Sequence, residues 1–323
     1  MGHVFRMLVL AQELVETGGC CVRFLTRPFA RTLELVAERG FAAEILGEGE
    51  GNVFPFPPGF GADPPAVLIN DILDTLAEYM EAVRPLAGRI ANLDDQGAGL
   101  ARADLVINSL PCRFVAPGGA AKARYLEGPE YLILAPEFQR RRPAGRPISN
   151  ACASILVTLG GSDTYGYSIP VVQALRQLGE LQRIAVVLGP AFQHHRPLAE
   201  AVEGDGRFQL SRSVPSLARV MESHELAITG GGMTLFEAAA LGLPTLALAS
   251  EDFERENIRW GQGRGFTRYL GEGRKLSPEA IAAEVQSLLG DWALRREMSL
   301  AGPRAVDGQG ARRVAELILD KAP

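Results

Sequence analysis

Residues 228–237 read Ile-Thr-Gly-Gly-Gly-Met-Thr-Leu-Phe-Glu, and this stretch decides the fold. A short apolar run, Leu226 to Ile228, stops at three glycines, and a helical pattern, Thr234 to Leu241, follows at once. That is the strand-to-helix turn of an α/β unit. Gly242-Leu243-Pro244 then punctuates the chain before the next apolar run, Thr245 to Ala249. Upstream, residues 157–163 read Val-Thr-Leu-Gly-Gly-Ser-Asp, again a strand running into glycines and a hydroxyl. Two such turns weigh far more than one.

Outward from these turns the same alternation continues. Apolar runs at Ser154 to Thr158, Arg183 to Leu188 and Phe208 to Leu210 predict further strands, and Ser168 to Gln177, Leu217 to Glu222, Pro278 to Leu289 and Arg312 to Asp320 predict helices. The first half repeats the scheme. Strands are predicted at Cys21 to Leu25, Ala66 to Ile69, Arg89 to Asn92 and Asp104 to Ile107. Helices are predicted at Val4 to Glu16, Leu33 to Glu38 and Leu73 to Leu86, from apolar residues spaced three and four apart. Between the halves, Ala135 to Asn150 carries Pro136, Pro143, Pro147 and the arginines 140, 141, 142 and 146, and reads as a solvated linker. The expected organisation is α/β: two facing, Rossmann-like, doubly wound domains, residues 1–147 and 148–323, with ligands at the carboxyl ends of the strands.

Composition narrows the function. A chain of 323 residues with 47% hydrophobic content suits two domains of about 150 residues each. The net charge of −5 lacks the broad positive field that nucleic acids attract. No apolar run approaches the roughly 20 residues of a membrane span, and the start has no secretory pattern. Cys20, Cys21, Cys112 and Cys152 have neither metal-ligand spacing nor the density of a disulfide scaffold, which points to the cytoplasm. His3, His194, His195 and His224 form no zinc pattern, and the 194–195 pair reads as surface residues rather than ligands. Neither a metal nor a cofactor is expected.

Gly160 and Gly161 let backbone N–H groups approach an anion, with Ser162 and Thr164 as added donors; a tight turn with Ser162 or Asp163 capping the next helix reads equally well. Gly230 to Gly232 at a helix N-terminus suit a diphosphate. Glu237, three residues after Thr234, reads either as half of a capping box or as an acceptor for ribose hydroxyls. Asp94-Asp95 reads first as a turn with capping carboxylates and second as a site.

With these residues in view, the chain resembles the GT-B superfamily of nucleotide-sugar enzymes. The opening Gly2-His3-Val4-x-Arg6-x-Leu8, Gly160-Gly161-Ser162-Asp163, Gly231-Gly232 and Asn257 together resemble one narrower family, the UDP-sugar hydrolase of the pseudaminic acid pathway and its spore-coat polysaccharide relatives. The resemblance implies that water cleaves the anomeric C–O bond of a UDP-linked diacetamido-trideoxy sugar and releases UDP. It implies His3 as the base, with Asp71 and Asn257 beside the sugar and Arg6 contacting it. It places the base at the backbone of Val214, the diphosphate at Gly161, Ser162, Gly232, Met233 and Thr234, and the ribose at Glu237. Histidine is the residue type suited to activating water near neutrality, and helix N-terminal amides to the charge on a departing diphosphate.

Two departures accompany the resemblance. The family's Asp-His-Tyr triplet is here Asn70-Asp71-Ile72-Leu73-Asp74, which keeps only the aspartate. The strand that precedes Gly-His in the family has no counterpart ahead of Gly2, so the first sheet is expected to lack its central strand and Met1 to be a start assigned too late. Two other functions stay open beside hydrolysis: transfer of the sugar to an acceptor by a GT-B glycosyltransferase, and nucleotide-sugar binding without catalysis.

Overall fold

The computed structural model describes residues 2–47, 56–57, 64–111, 123–142, 145–212 and 214–320; Cys112 and Pro143 lie outside them. The chain divides into two compact units, one of Met1–Ala135 with Gln309–Pro323 and one of Pro136–Gly308.

In the first unit, helix α1 (Gly2–Gly18) buries Leu10 and Leu14 in one core cluster and Leu8 in another, with Leu35 and Val36. Strand β1 (Arg23–Thr26), helix α2 (Ala30–Glu38) and strand β2 (Ala42–Ile45) follow, and β1 pairs with β2 in parallel. A second parallel sheet runs in the order β3 (Val67–Asn70), β4 (Arg89–Leu93), β5 (Leu105–Asn108), β6 (Arg124–Glu127), with helix α3 (Ala77–Val83) after β3. The interior strands β4 and β5 are almost wholly buried, as parallel strands covered on both faces are. Among the described residues no strand precedes α1, and the β1–β2 pair stands as a sheet separate from the four-stranded one.

The second unit opens with α4 (Pro136–Arg140) and contains one six-stranded parallel sheet. Its members are β7 (Ser154–Thr158), β8 (Arg183–Val187), β9 (Phe208–Ser211), β10 (Leu226–Thr229), β11 (Thr245–Ala249) and β12 (Thr267–Glu272). Helices α5 (Ser168–Arg176), α6 (His195–Val202), α7 (Leu217–Glu222), α8 (Met233–Ala240) and α9 (Asp252–Gly263) connect them, and α10 (Pro278–Gly290) and α11 (Trp292–Ala305) follow. The order β12-β11-β10-β7-β8-β9 reverses direction between β10 and β7. Both glycine turns lie at that reversal, the position where open α/β sheets bind ligands.

The doubly wound reading holds, and several boundaries move. Helix α12 (Gly310–Ile318) belongs to the first unit, where Ala311, Val314, Ala315, Leu317 and Ile318 share a core with Leu10, Leu14, Leu93, Leu105 and Ile107. Residues 136–147, read as linker and placed with the first domain, instead open the second unit, and Arg146 is no solvated connector. Its guanidinium reaches the carbonyls of Met221 (2.8 Å), Glu222 (3.1 Å) and His224, so its donors serve the chain itself. The helix expected from Leu73 starts only at Ala77, because the Thr75 N–H (3.0 Å) and hydroxyl are donated to Asp95.

Candidate functional site

In the first unit the residues that converge are His3 and Arg6 of α1, Asp71 just after β3 and Asp94 just after β4. Arg6 is buried and held between two carboxylates: its Nε (3.0 Å) and Nη2 donate to Asp71, and its Nη1 donates to Asp94. Burial alone would lower the Arg6 pKa, but hydrogen bonds and charge from Asp71 and Asp94 outweigh it and the net shift is upward. Burial would likewise raise Asp71, yet His3 and Arg6 pull its carboxyl below the usual range. The His3 ring is more than half exposed, and its Nδ1–H donates to Asp71 Oδ1 at 2.8 Å. With Nδ1 committed to a carboxylate, Nε2 is the atom that can take a proton.

The loops that carry the two aspartates are braced from behind. Asn70 Nδ2 donates to Asn92 Oδ1 (2.9 Å), Tyr79 Oη to Asn70 Oδ1 (2.7 Å) and Asn92 Nδ2 to Asp95 Oδ2 (2.6 Å). Asp94, at φ 50, also accepts from the Ser109 N–H (2.6 Å) and hydroxyl (3.1 Å). Asp95 therefore serves the turn, and Asp94 joins the cluster.

In the second unit, Gly160 sits at φ +81, a conformation open to glycine, and turns the chain after β7. Gly161 is exposed, and Ser162 and Thr164 share a hydrogen bond at 2.9 Å. Asp163 accepts from Tyr167 N–H (2.8 Å) and Ser168 N–H (2.9 Å), so it holds the turn that leads into α5, whose N-cap is Tyr167. Val214 lies in the loop between β9 and α7.

At the second turn Gly232 is the N-cap of α8 and makes no side-chain cap bond, so no capping box forms. Met233 and Thr234 supply the first helical amides, whose N–H groups have no partner within a helix. Glu237 lies one turn further, and burial, with a contribution from the Glu137 carboxylate, pushes its carboxyl up to about 7. Among the described residues the Glu237 carboxyl has no hydrogen-bond partner.

Helix α9 grips this turn. Asn257 is fully buried and donates Nδ2 to Gly231 O at 2.9 Å. A Cβ on Gly231 would lie 2.5 Å from the Glu254 carbonyl oxygen and 2.7 Å from its Cβ. The bare side of Gly231, read from sequence as room for a diphosphate, is thus taken by α9. The Glu254 carboxylate accepts from the Ser250 N–H (2.7 Å); burial raises its pKa, and the backbone of Ser250, Glu251 and Gly231 works against that rise.

Two participants differ from the expectation from sequence. Asp94 reads first as a turn residue, although its place directly after a parallel strand is a usable signal. Glu254 carried no signal, since nothing in its own segment points back to a turn some twenty residues earlier. His194 and His195 are partly exposed with ring edges against Phe192, consistent with their reading as surface residues.

No protein-family model matches the chain. It is 26% identical to the spore coat polysaccharide biosynthesis protein SpsG of Bacillus subtilis (strain 168), over 99% of this chain and 94% of that protein. It is 23% identical to the UDP-N-acetylglucosamine--N-acetylmuramyl-(pentapeptide) pyrophosphoryl-undecaprenol N-acetylglucosamine transferase of Actinobacillus pleuropneumoniae, over 99% of this chain and 96% of that one. Among solved structures it is similar to MurG of Acinetobacter baumannii, with a TM-score of 0.67 at 18% identity, covering 99% and 96% of the two chains. A UDP-N-acetylglucosamine 2-epimerase from Listeria monocytogenes matches at a TM-score of 0.64 and 14% identity, over 98% of this chain and 93% of that one. The chain is a homologue of the Bacillus subtilis spore coat polysaccharide protein along nearly its whole length, and its two parallel-sheet α/β domains have the GT-B fold of MurG.

Proposed function

We propose that the protein is a nucleotide-sugar hydrolase that cleaves the anomeric C–O bond of a UDP-linked diacetamido-trideoxy sugar in nonulosonic acid or surface polysaccharide synthesis. The observation that carries this reading is His3: exposed, with Nδ1 pinned on Asp71 at 2.8 Å and Nε2 left as proton acceptor. Water attacks the anomeric carbon and gives its proton to Nε2, while the bonding pair leaves with the diphosphate oxygen. Arg6 keeps Asp71 ionised and in place, and Asp71 keeps His3 in the tautomer the step needs. In the second unit the backbone near Val214 serves the base, Gly161, Ser162, Gly232, Met233 and Thr234 the diphosphate, and Glu237 the ribose. Asn257 acts through Gly231, as a positioning residue. Cys20, Cys21 and Cys152 are free thiols, in keeping with work in the cytoplasm, and no helix among the described residues is long and apolar enough to cross a membrane.

The second reading, transfer to an acceptor, is favoured by the names of the relatives, several of which are glycosyltransferases. Phosphorus NMR of the protein with a UDP-diacetamido-trideoxy sugar and no acceptor separates the two. The expected outcome is release of UDP that falls by about 100-fold or more in His3→Ala, the range general-base catalysis supplies. Tight UDP binding with the sugar nucleotide left intact would replace hydrolysis by transfer or by binding without catalysis.

A further inference from the structure

We propose that Glu254 is the resident anion of the Gly230–Gly232 turn, a specificity-determining carboxylate that a diphosphate must displace before it can settle there. The inference rests on the reading that this turn receives a diphosphate, and it adds the condition under which it does so.

The geometry carries it. The Ser250 N–H donates to the Glu254 carboxylate at 2.7 Å, and the neighbouring amides of Glu251 and Gly231 favour its charged form, as loop amides do for a phosphate oxygen. The carboxylate also lies across the turn: Glu254 Oε1 is 3.4 Å from where a Cβ would stand on Gly230 and 3.7 Å from that on Gly232. A diphosphate on the amides of Gly232, Met233 and Thr234 would therefore adjoin a like charge. Two further atoms mark the turn as unfinished. Thr229 Oγ1, one residue before the glycines, and Asn257 Oδ1, on the side chain whose Nδ2 holds Gly231, are buried with no hydrogen-bond partner among the described residues. Buried polar atoms of this kind are normally satisfied, so a rearranged turn has partners to gain.

The consequence is selectivity by ligand class. An anion with no other anchor has to compete with a carboxylate that is already tethered, whereas a nucleoside diphosphate is held elsewhere by its nucleoside while its phosphates displace Glu254. Free inorganic phosphate and pyrophosphate are then poor ligands for the wild-type turn, and UDP is a good one.

Isothermal titration of the full chain with UDP, inorganic pyrophosphate and uridine tests this, with wild type, Glu254→Gln and Glu254→Asp compared at one pH and melting temperatures recorded for each. The expected result is at least tenfold tighter UDP and pyrophosphate binding by Glu254→Gln, with uridine unchanged. Glu254→Asp, a methylene too short to span the turn, also tightens both, which keeps the test alive if the glutamine variant does not fold. Damage to the turn would weaken binding, and only removal of a competitor strengthens it. UDP bound equally or less tightly by the variants overturns the role of Glu254 and leaves the diphosphate site standing. No UDP binding by any form overturns both.

Discussion

At the scale of single residues, what distinguishes this protein is the company its ionisable groups keep. Arg6 has two carboxylates on its guanidinium, and Asp71 faces both Arg6 and His3, so the cluster is held by charge as much as by packing. Removing one partner of such a buried pair costs far more than an exposed pair contributes. The linkage to pH runs in opposite directions in the two units. The depressed pKa of Asp71 gives stability that is present above the ordinary carboxylate range and is lost as pH falls through its folded value. Glu237 is raised from 4.5 to about 7, so its contribution is full below 4.5 and is lost as pH rises through about 7. The second unit of the wild type is therefore expected to lose stability between pH 5 and pH 8, by at most about 3 kcal/mol, while Glu237→Gln stays flat. Melting curves across that range decide it; parallel pH profiles for the two proteins would contradict the assignment.

At the scale of elements, arginine finishes helices. The chain has thirty arginines and three lysines, and several of those arginines end on backbone carbonyls in or just past the last turn of a helix. Arg146 serves the end of α7, Arg176 donates to Ala201 O (3.0 Å) and Glu203 O (2.9 Å) at the end of α6, and Arg89 donates to Ile318 O (3.3 Å) at the end of α12. The most committed is the fully buried Arg295, which donates to Leu288 O (2.7 Å), Leu289 O, Ser149 O (2.9 Å) and Asn150 O (3.1 Å). A lysine has one ammonium where these carbonyls need a planar fork. Arg295→Lys is expected to destabilise by about 2–4 kcal/mol in urea unfolding, against less than about 0.5 kcal/mol for Arg196→Lys on the surface of α6. How far elements could be read from sequence follows the same physics. Central strands such as β7 and β11 are buried along their whole length and announce themselves as unbroken apolar runs. The strands β6, reading Arg-Tyr-Leu-Glu, and β12, reading Thr-Arg-Tyr-Leu-Gly-Glu, are only partly buried and interrupted by charged residues or glycine, so neither offers an unbroken apolar run. Helix α9, which supplies Asn257 and Glu254, is rich in charged side chains and leaves little apolar periodicity to read. Of the candidate site, the family resemblance names His3, Arg6 and Asp71. The clasp of α9 on the glycine turn depends on tertiary contact and left no local trace.

At the scale of the whole molecule, the chain leaves the first unit at Ala135 and returns to it at Gln309. Amphipathic spacing showed that the last helix has an apolar face, but no pattern within that helix says which core the face covers. Its partners proved to be Leu10, Leu14 and the strands β4 and β5. Deleting residues from 309 onward is expected to expose that core and unfold the first unit, while the second, whose core runs from Cys152 to Met298, keeps its cooperative melting. Hydrogen exchange followed region by region distinguishes this from global unfolding; loss of protection in β7 and β10 as well would refute it. The same threading inverts the order of birth on the ribosome. At about 5–20 residues per second a polypeptide ordinarily folds its leading domain first. Here the leading segment has to wait, its apolar face uncovered, until α12 has left the exit tunnel. The later-made second unit can close ahead of it, so nascent chains of residues 1–308 held clear of the tunnel by an added linker should offer chaperones the oldest part of the protein rather than the newest.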